Sequence, residues 1–202
     1  MMGRRQFGDF LLFGVTLVEL TILLLTTPTF TITDWIYVSQ HALVLGIALT
    51  RPEPKALDQS FGSSLAVLVS YAYPYAQVLY LQWAPGYEAL PAAGLALVST
   101  SAVLSLVSLL TLGKFFGVRP ALRGLVTSGP YAIVRHPIYL SYVIADIGYN
   151  LQEWSFVTVL MVLAGWVSLI YRIDAEEQIL SRDPGWSAYV RTVRYRLLPA
   201  FW

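Results

Sequence analysis

The chain has 202 residues, 56% of them hydrophobic and only 12% charged, with a mean hydropathy of +0.61. Soluble domains spend about a quarter of their residues on charge, so this composition excludes one and predicts an all-α integral membrane protein. The net charge of +1 argues against a nucleic-acid partner, and the absence of cysteine excludes disulfides, thiolate catalysis and Cys-ligated metals.

Six apolar stretches approach the roughly 20 residues that cross a bilayer core. They run from Phe10 to Thr26, Trp35 to Thr50, Phe61 to Trp83, Ala89 to Leu112, Pro137 to Leu151 and Trp154 to Tyr171. The first contains Glu19 and no clean small-residue cleavage site follows it, so it reads as a retained helix rather than a signal peptide. Glu19 itself is expected to face the bundle interior or a wet path, as intramembrane carboxylates do. In the second stretch His41 reads as a packing residue; with His136 distant in sequence and no helical His pair, no protein-built metal site is expected.

After the fourth stretch, Gly113 to His136 is punctuated by Pro120, Gly124 and Gly129-Pro130, and predicts loops and short turns. The fifth stretch is short, carries Asp146 and Asn150, and is parted from the sixth only by Gln152-Glu153, which predicts a tight helical hairpin. Asp146 has two readings, a carboxyl satisfied by a hydroxyl on a neighbouring helix and a direct site residue. The sixth helix continues through Glu176, Glu177 and Leu180 until Pro184-Gly185 breaks it. Trp186 to Arg196 then reads as a basic, aromatic segment lying at the membrane interface. No linker, low-complexity run or repeat divides the chain, so residues 1–202 form one domain: four transmembrane helices over 1–112, then a core over 113–202 with its cytoplasmic loop, hairpin and cap.

The loops supply a test independent of hydropathy. All 13 Lys and Arg residues fall before the first stretch, between the second and third, between the fourth and fifth, and at or after the end of the sixth. The alternate loops hold none, which by the positive-inside rule puts both termini and these basic segments in the cytoplasm.

That places two polar arms on one face: Arg135-His136-Pro137-Ile138-Tyr139, and Arg172-Ile173-Asp174-Ala175-Glu176-Glu177. Pro137 disfavours helix at His136 and suits the first turn of the following helix. Arg172 and Glu176 are four apart and share a helix face, while Glu177 is turned about 100° away. Converged, the arms would offer carboxylates to an amino group or ribose hydroxyls, an arginine to a carboxylate, and tyrosine faces to an onium centre. The plainer reading is an i,i+4 ion pair, an ordinary helix start and a headgroup anchor.

The run Gly124-Leu125-Val126-Thr127-Ser128-Gly129-Pro130-Tyr131, the segment Arg135-His136-Pro137-Ile138-Tyr139-Leu140-Ser141, the helix-borne Glu176-Glu177 pair opened by Arg172, and then Tyr189 and Pro199, resemble the isoprenylcysteine carboxyl methyltransferase and phospholipid methyltransferase superfamily. Order and spacing agree from the cap at Gly113 onward; the earlier part matches only in being transmembrane helices. The resemblance implies an integral membrane methyltransferase using S-adenosylmethionine in a cytoplasm-facing pocket closed by the C-terminal segment. It implies His136, Tyr139 and Glu177 as cofactor contacts, Glu176, Tyr131 and Leu140 as lining, and Arg172 as the residue that orients the substrate. Two departures bear on the substrate alone: Asp174-Ala175 replaces part of a longer acidic run, and the glycine-x-glycine motif of the phosphatidylethanolamine type is missing.

Methyl transfer from a sulfonium is an in-line displacement, so the protein chiefly positions its reactants. A carboxylate acceptor needs no base and could be held by Arg172; an amine or thiol acceptor must lose a proton, to Glu177 or His136. Prenylated peptide, phospholipid amine, quinone-like lipid and small thiol all remain open as acceptors, with membrane lipids as the surroundings. Two other classes stay in view: an NADPH-dependent membrane reductase of sterol-reductase-like architecture, against which the missing dinucleotide glycine fingerprint counts, and a non-catalytic membrane scaffold.

Overall fold

The computed structural model describes residues 32–199, together with positions 14, 16–18, 20–21 and 24–25 of the first stretch, which are helical. Glu19 and the N-terminal arginines lie outside the described residues. The chain is mostly helical: α1 (Ile32–Thr50), α2 (Phe61–Trp83), α3 (Pro91–Leu112), α4 (Pro137–Gln152), α5 (Phe156–Leu180) and a short α6 (Trp186–Thr192). The helix starts have local causes. The Ser60 side chain caps α2 by accepting from Ser63 N–H, Pro91 opens α3 and Pro137 opens α4 at positions where the missing N–H costs nothing, and Ser155 and Thr158 form a capping box at α5.

Helices α4 and α5 are the expected hairpin, with a turn over residues 153–155 rather than at Gln152-Glu153. The shift follows from Ser155, whose hydroxyl must stand outside the helix to cap it. The turn is zipped to the loop entering α3: Tyr87 and Trp154 exchange both backbone hydrogen bonds, at 2.7 and 3.0 Å, and Glu153 Oε1 accepts from Gly86 N–H at 2.7 Å. This tie lies at the end of the bundle opposite the Arg135 and Arg172 arms, since it joins the start of α3 and of α5 to the end of α4.

Helix packing is closest between α3 and α4, where Gly94 and Gly148 face one another. A Cβ on Gly94 would stand 2.5 Å from the Gly148 carbonyl oxygen, and one on Gly148 2.8 Å from that of Gly94. Helix α2 packs on α5, with a buried polar tie in the middle. The Tyr73 hydroxyl donates to the Asp146 carboxylate, 2.8 Å from each oxygen, and Trp166 Nε1–H donates to Oδ2 at 2.8 Å. Asp146 is thereby held by a hydroxyl from a neighbouring helix and stands away from the polar arms. His41 keeps to its own helix, its Nδ1 lying 2.7 Å from the Tyr37 carbonyl.

Gly113 to His136 contains two 3₁₀ turns, Gly113–Phe115 and Gly129–Ala132, and one strand of a two-residue antiparallel pair. That pair, β1 (Ala56–Leu57) with β2 (Ala121–Leu122), sets Ala56 against Leu122 and binds the α1–α2 loop to the segment after α3. Gly129 has φ of 57°, a conformation that favours glycine, and so lets the chain reverse before Tyr131.

Among the described residues two helices are long and apolar enough to cross a membrane, Pro91–Phe115 and Phe156–Leu180. Outward faces carry Leu68, Leu110, Phe156 and Val167 in the open. Apolar surface left this freely exposed suits lipid contact rather than water.

Candidate functional site

At the end of the bundle away from the Tyr87 and Trp154 tie, a cleft opens between the C-terminal part of α5, the start of α4 and the Phe115–Val126 segment. It holds about 760 Å³ of space outside the atoms, counted out to its mouth.

The α4 wall is built around Pro137. His136 sits just before the helix with φ −127° and ψ 62°, its carbonyl accepting from Leu140 N–H at 3.0 Å. One turn on, the Tyr139 ring stacks on the His136 imidazole, centroids 5.5 Å apart at 22°. Helix α5 faces this wall. The Tyr139 hydroxyl donates to Glu176 Oε2 at 2.9 Å, and Glu176 is the one carboxylate among the lining residues.

Arg172 lies one turn deeper and is only 3% exposed. Burying a guanidinium is costly unless its charge and donors are served. Here the Tyr139 and Tyr71 rings lie 5.2 and 5.7 Å from its central carbon, Nη2 donates to the Val118 carbonyl at 3.1 Å, and no ion pair with Glu176 forms among the described residues. Its Nε–H has no partner among the described residues, and it borders the cleft. An i,i+4 pair is therefore not what these two residues make.

Glu177 turns to the other side. Its Oε1 accepts from Arg135 Nε at 2.7 Å and lies 3.1 Å from His136 Nε2, while Oε2 accepts from Arg196 Nη2 at 2.8 Å and Nε at 3.1 Å. Arg135 Nη1 also donates to the carbonyls of Val193 and Arg194, and the backbone N–H groups of Arg135 and His136 donate to those of Tyr195 and Arg196. Residues 193–197 are thus strapped across the start of α4, with Leu197 packed against the Tyr139, Leu169 and Ile173 cluster. Helix α6 completes the closure: its Tyr189 borders the cleft and donates its hydroxyl to the Tyr131 carbonyl at 2.8 Å. Burial, with the nearby Glu176 charge adding to it, pushes the Tyr131 phenol well above its ordinary range, so it stays a neutral donor.

Tyr131, His136, Tyr139, Arg172 and Glu176 therefore come together on one cleft, whereas Glu177 and Leu140 are not among its lining residues. The lining also includes Arg119 and Arg123, which in the sequence are distinguished only as loop charges. Nothing in their spacing distinguishes a lining arginine from a headgroup contact. Chemically, the cleft offers one accessible carboxylate, several aromatic faces and an unsatisfied N–H on a buried arginine. That donor set suits a ligand carrying both a cationic centre and an anionic group.

No curated protein matches the sequence significantly. Residues 92–182, which carry the His136 turn, Arg172 and both glutamates, match the model of the isoprenylcysteine carboxyl methyltransferase (ICMT) family.

Proposed function

We propose that the protein transfers a methyl group from S-adenosylmethionine to a lipophilic acceptor, an isoprenylcysteine-like carboxylate or a lipid amine. The observation that carries this is the pairing, on one cleft inside the matched region, of the lone accessible carboxylate Glu176 with the His136 and Tyr139 rings and with the unpartnered Nε–H of Arg172. Glu176 would hold the donor's amino group or ribose hydroxyls, and the aromatic wall would face its sulfonium. The donor supplies an activated methyl group, so the chain's own residues need only align the two reactants and exclude water. Strapping by residues 193–197 supports the second task.

The same reading keeps six spanning helices with both termini and the cleft cytoplasmic, on the strength of the Lys and Arg distribution. A sterol-reductase-like use of NADPH and a non-catalytic scaffold are the other outcomes. The test is S-adenosylhomocysteine binding to purified protein in a neutral detergent. Wild type binds saturably, and His136→Ala and Glu176→Gln each weaken binding by about tenfold or more, the loss expected for one charge-assisted contact. A flat wild-type isotherm would sink the proposal, and saturable NADPH binding in its place would favour the reductase.

A further inference from the structure

After α6 the strap returns the chain to membrane depth. Leu197 packs on Tyr139, Leu169 and Ile173. The depth of Leu169 is fixed by its neighbour Ser168, whose hydroxyl donates to the Ala66 carbonyl of α2 at 2.6 Å and lies 2.7 Å from Ser70 Oγ. From that level α2 continues back through Leu65 to Phe61, about 10 Å further toward the cleft end, and these two side chains stand open at 47% and 82% exposure. Apolar surface left open that far belongs against hydrocarbon. Leu197 therefore lies inside the apolar belt, and the adjoining Leu198, 46% exposed, is open at the same depth.

A segment that dips into this belt crosses the headgroup layer on its way. Arg194 stands three residues before Leu197, at most about 10 Å of extended chain, and Arg191 one helical turn earlier at the end of α6. Both are exposed, while Tyr189 and Val193 on the other face of this segment are buried and hold it to the bundle. Arg191 donates through Nε to the Ser187 carbonyl at 3.2 Å, and neither arginine forms an ion pair among the described residues. The acids beside the strap are already engaged: Asp174 meets Arg196 at 2.9 Å, and Glu177 holds Arg135 and Arg196. No Asp or Glu occurs between Pro184 and Pro199. Two uncompensated guanidinium groups thus stand over an apolar anchor.

We propose that Arg191, Arg194 and Leu198 form a docking surface for anionic phospholipid, with Leu198 among the acyl chains and the two guanidinium groups on headgroup phosphate. Tyr189 closes the cleft from the same helix, so lipid bound here holds that closure in place. The surface rests on depth and charge and is independent of the methyltransferase reading.

Amide hydrogen exchange of residues 186–197 tests this, measured on the full chain in nanodiscs of phosphatidylcholine alone or with phosphatidylglycerol at three lipids in ten. At low salt, exchange in wild type is slower by about fivefold with phosphatidylglycerol, and molar sodium chloride removes the difference. The double variant Arg191→Gln with Arg194→Gln exchanges alike in both discs, at the wild-type rate in phosphatidylcholine, while α3 and α5 keep their protection. The charge-preserving pair Arg191→Lys with Arg194→Lys retains at least half of the slowing, and it carries the test if the glutamine variant does not fold. Equal exchange of wild type in the two discs overturns the proposal, as does a difference that survives in the glutamine variant. Equal slowing in phosphatidylcholine discs on adding soluble glycerol phosphate also overturns it, for the arginines would then be a free phosphate site and not a lipid surface.

Discussion

Replacing Glu177 by glutamine separates two roles for that residue. The resemblance makes it a cofactor contact and a candidate base, whereas its carboxylate is turned from the cleft onto Arg135, His136 and Arg196. Its side chain is 13% exposed and that of Arg135 8%, so the pair is largely desolvated. Removing one partner of a buried ion pair costs about 3–5 kcal/mol, because the other charge is left behind. Glutamine can still accept one hydrogen bond from Arg135, and Arg196 keeps Asp174 at 2.9 Å, which lowers the expected loss to about 2–3 kcal/mol. Equilibrium unfolding in mixed micelles measures it. A cycle with Arg196→Gln should return a coupling of about 1 kcal/mol or more, since the two groups touch. Loosening of residues 193–197 should show as faster tryptic cleavage at Arg194 and Arg196. If Glu177→Gln instead leaves stability within about 0.5 kcal/mol and the cleavage rate unchanged, while S-adenosylhomocysteine affinity falls about tenfold, then Glu177 acts on the ligand and the strap argument is wrong.

Asp146→Asn should cost about 1–3 kcal/mol by unfolding, because a neutral amide oxygen accepts from Tyr73 and Trp166 more weakly than the charged carboxylate and the second acceptor oxygen is lost, and Trp166 fluorescence should shift while S-adenosylhomocysteine affinity holds. Gly94→Ala should destabilise by about 1–3 kcal/mol, since its Cβ meets the Gly148 carbonyl of α4 and the helices must part; an unchanged unfolding midpoint would contradict that close approach. Tyr189→Phe should lose about 1 kcal/mol with the hydrogen bond to the Tyr131 carbonyl, again read by unfolding.

Much of the fold could be read from the chain because its causes are local. Pro137 announces the start of α4, and Pro184-Gly185 marks the break before α6, although α5 already stops at Leu180, three residues short of that proline. Elements made by distant partners left no such mark. The β1–β2 pair is two residues long on each side, and its pairing joins segments that no periodicity links. Arg196 reaches Glu177 from 19 positions on, beyond the region that matches the family. Local helix geometry, meanwhile, permits a pair that desolvation overrules.

Arg172 and Glu176 stand one turn apart, and on an exposed helix they would pair for a few tenths of a kcal/mol. At 3% exposure the guanidinium needs more than that one contact, and its neighbours supply two ring faces and the Val118 carbonyl. Glu176 is then released to Tyr139, whose hydroxyl uses only one of its oxygens. The arrangement keeps apart two charges that would otherwise cancel. A ligand entering the cleft meets a carboxylate on one wall and an unspent arginine N–H deeper in, and it is this separation, more than the presence of either residue, that lets one small cleft bind opposite charges at different ends.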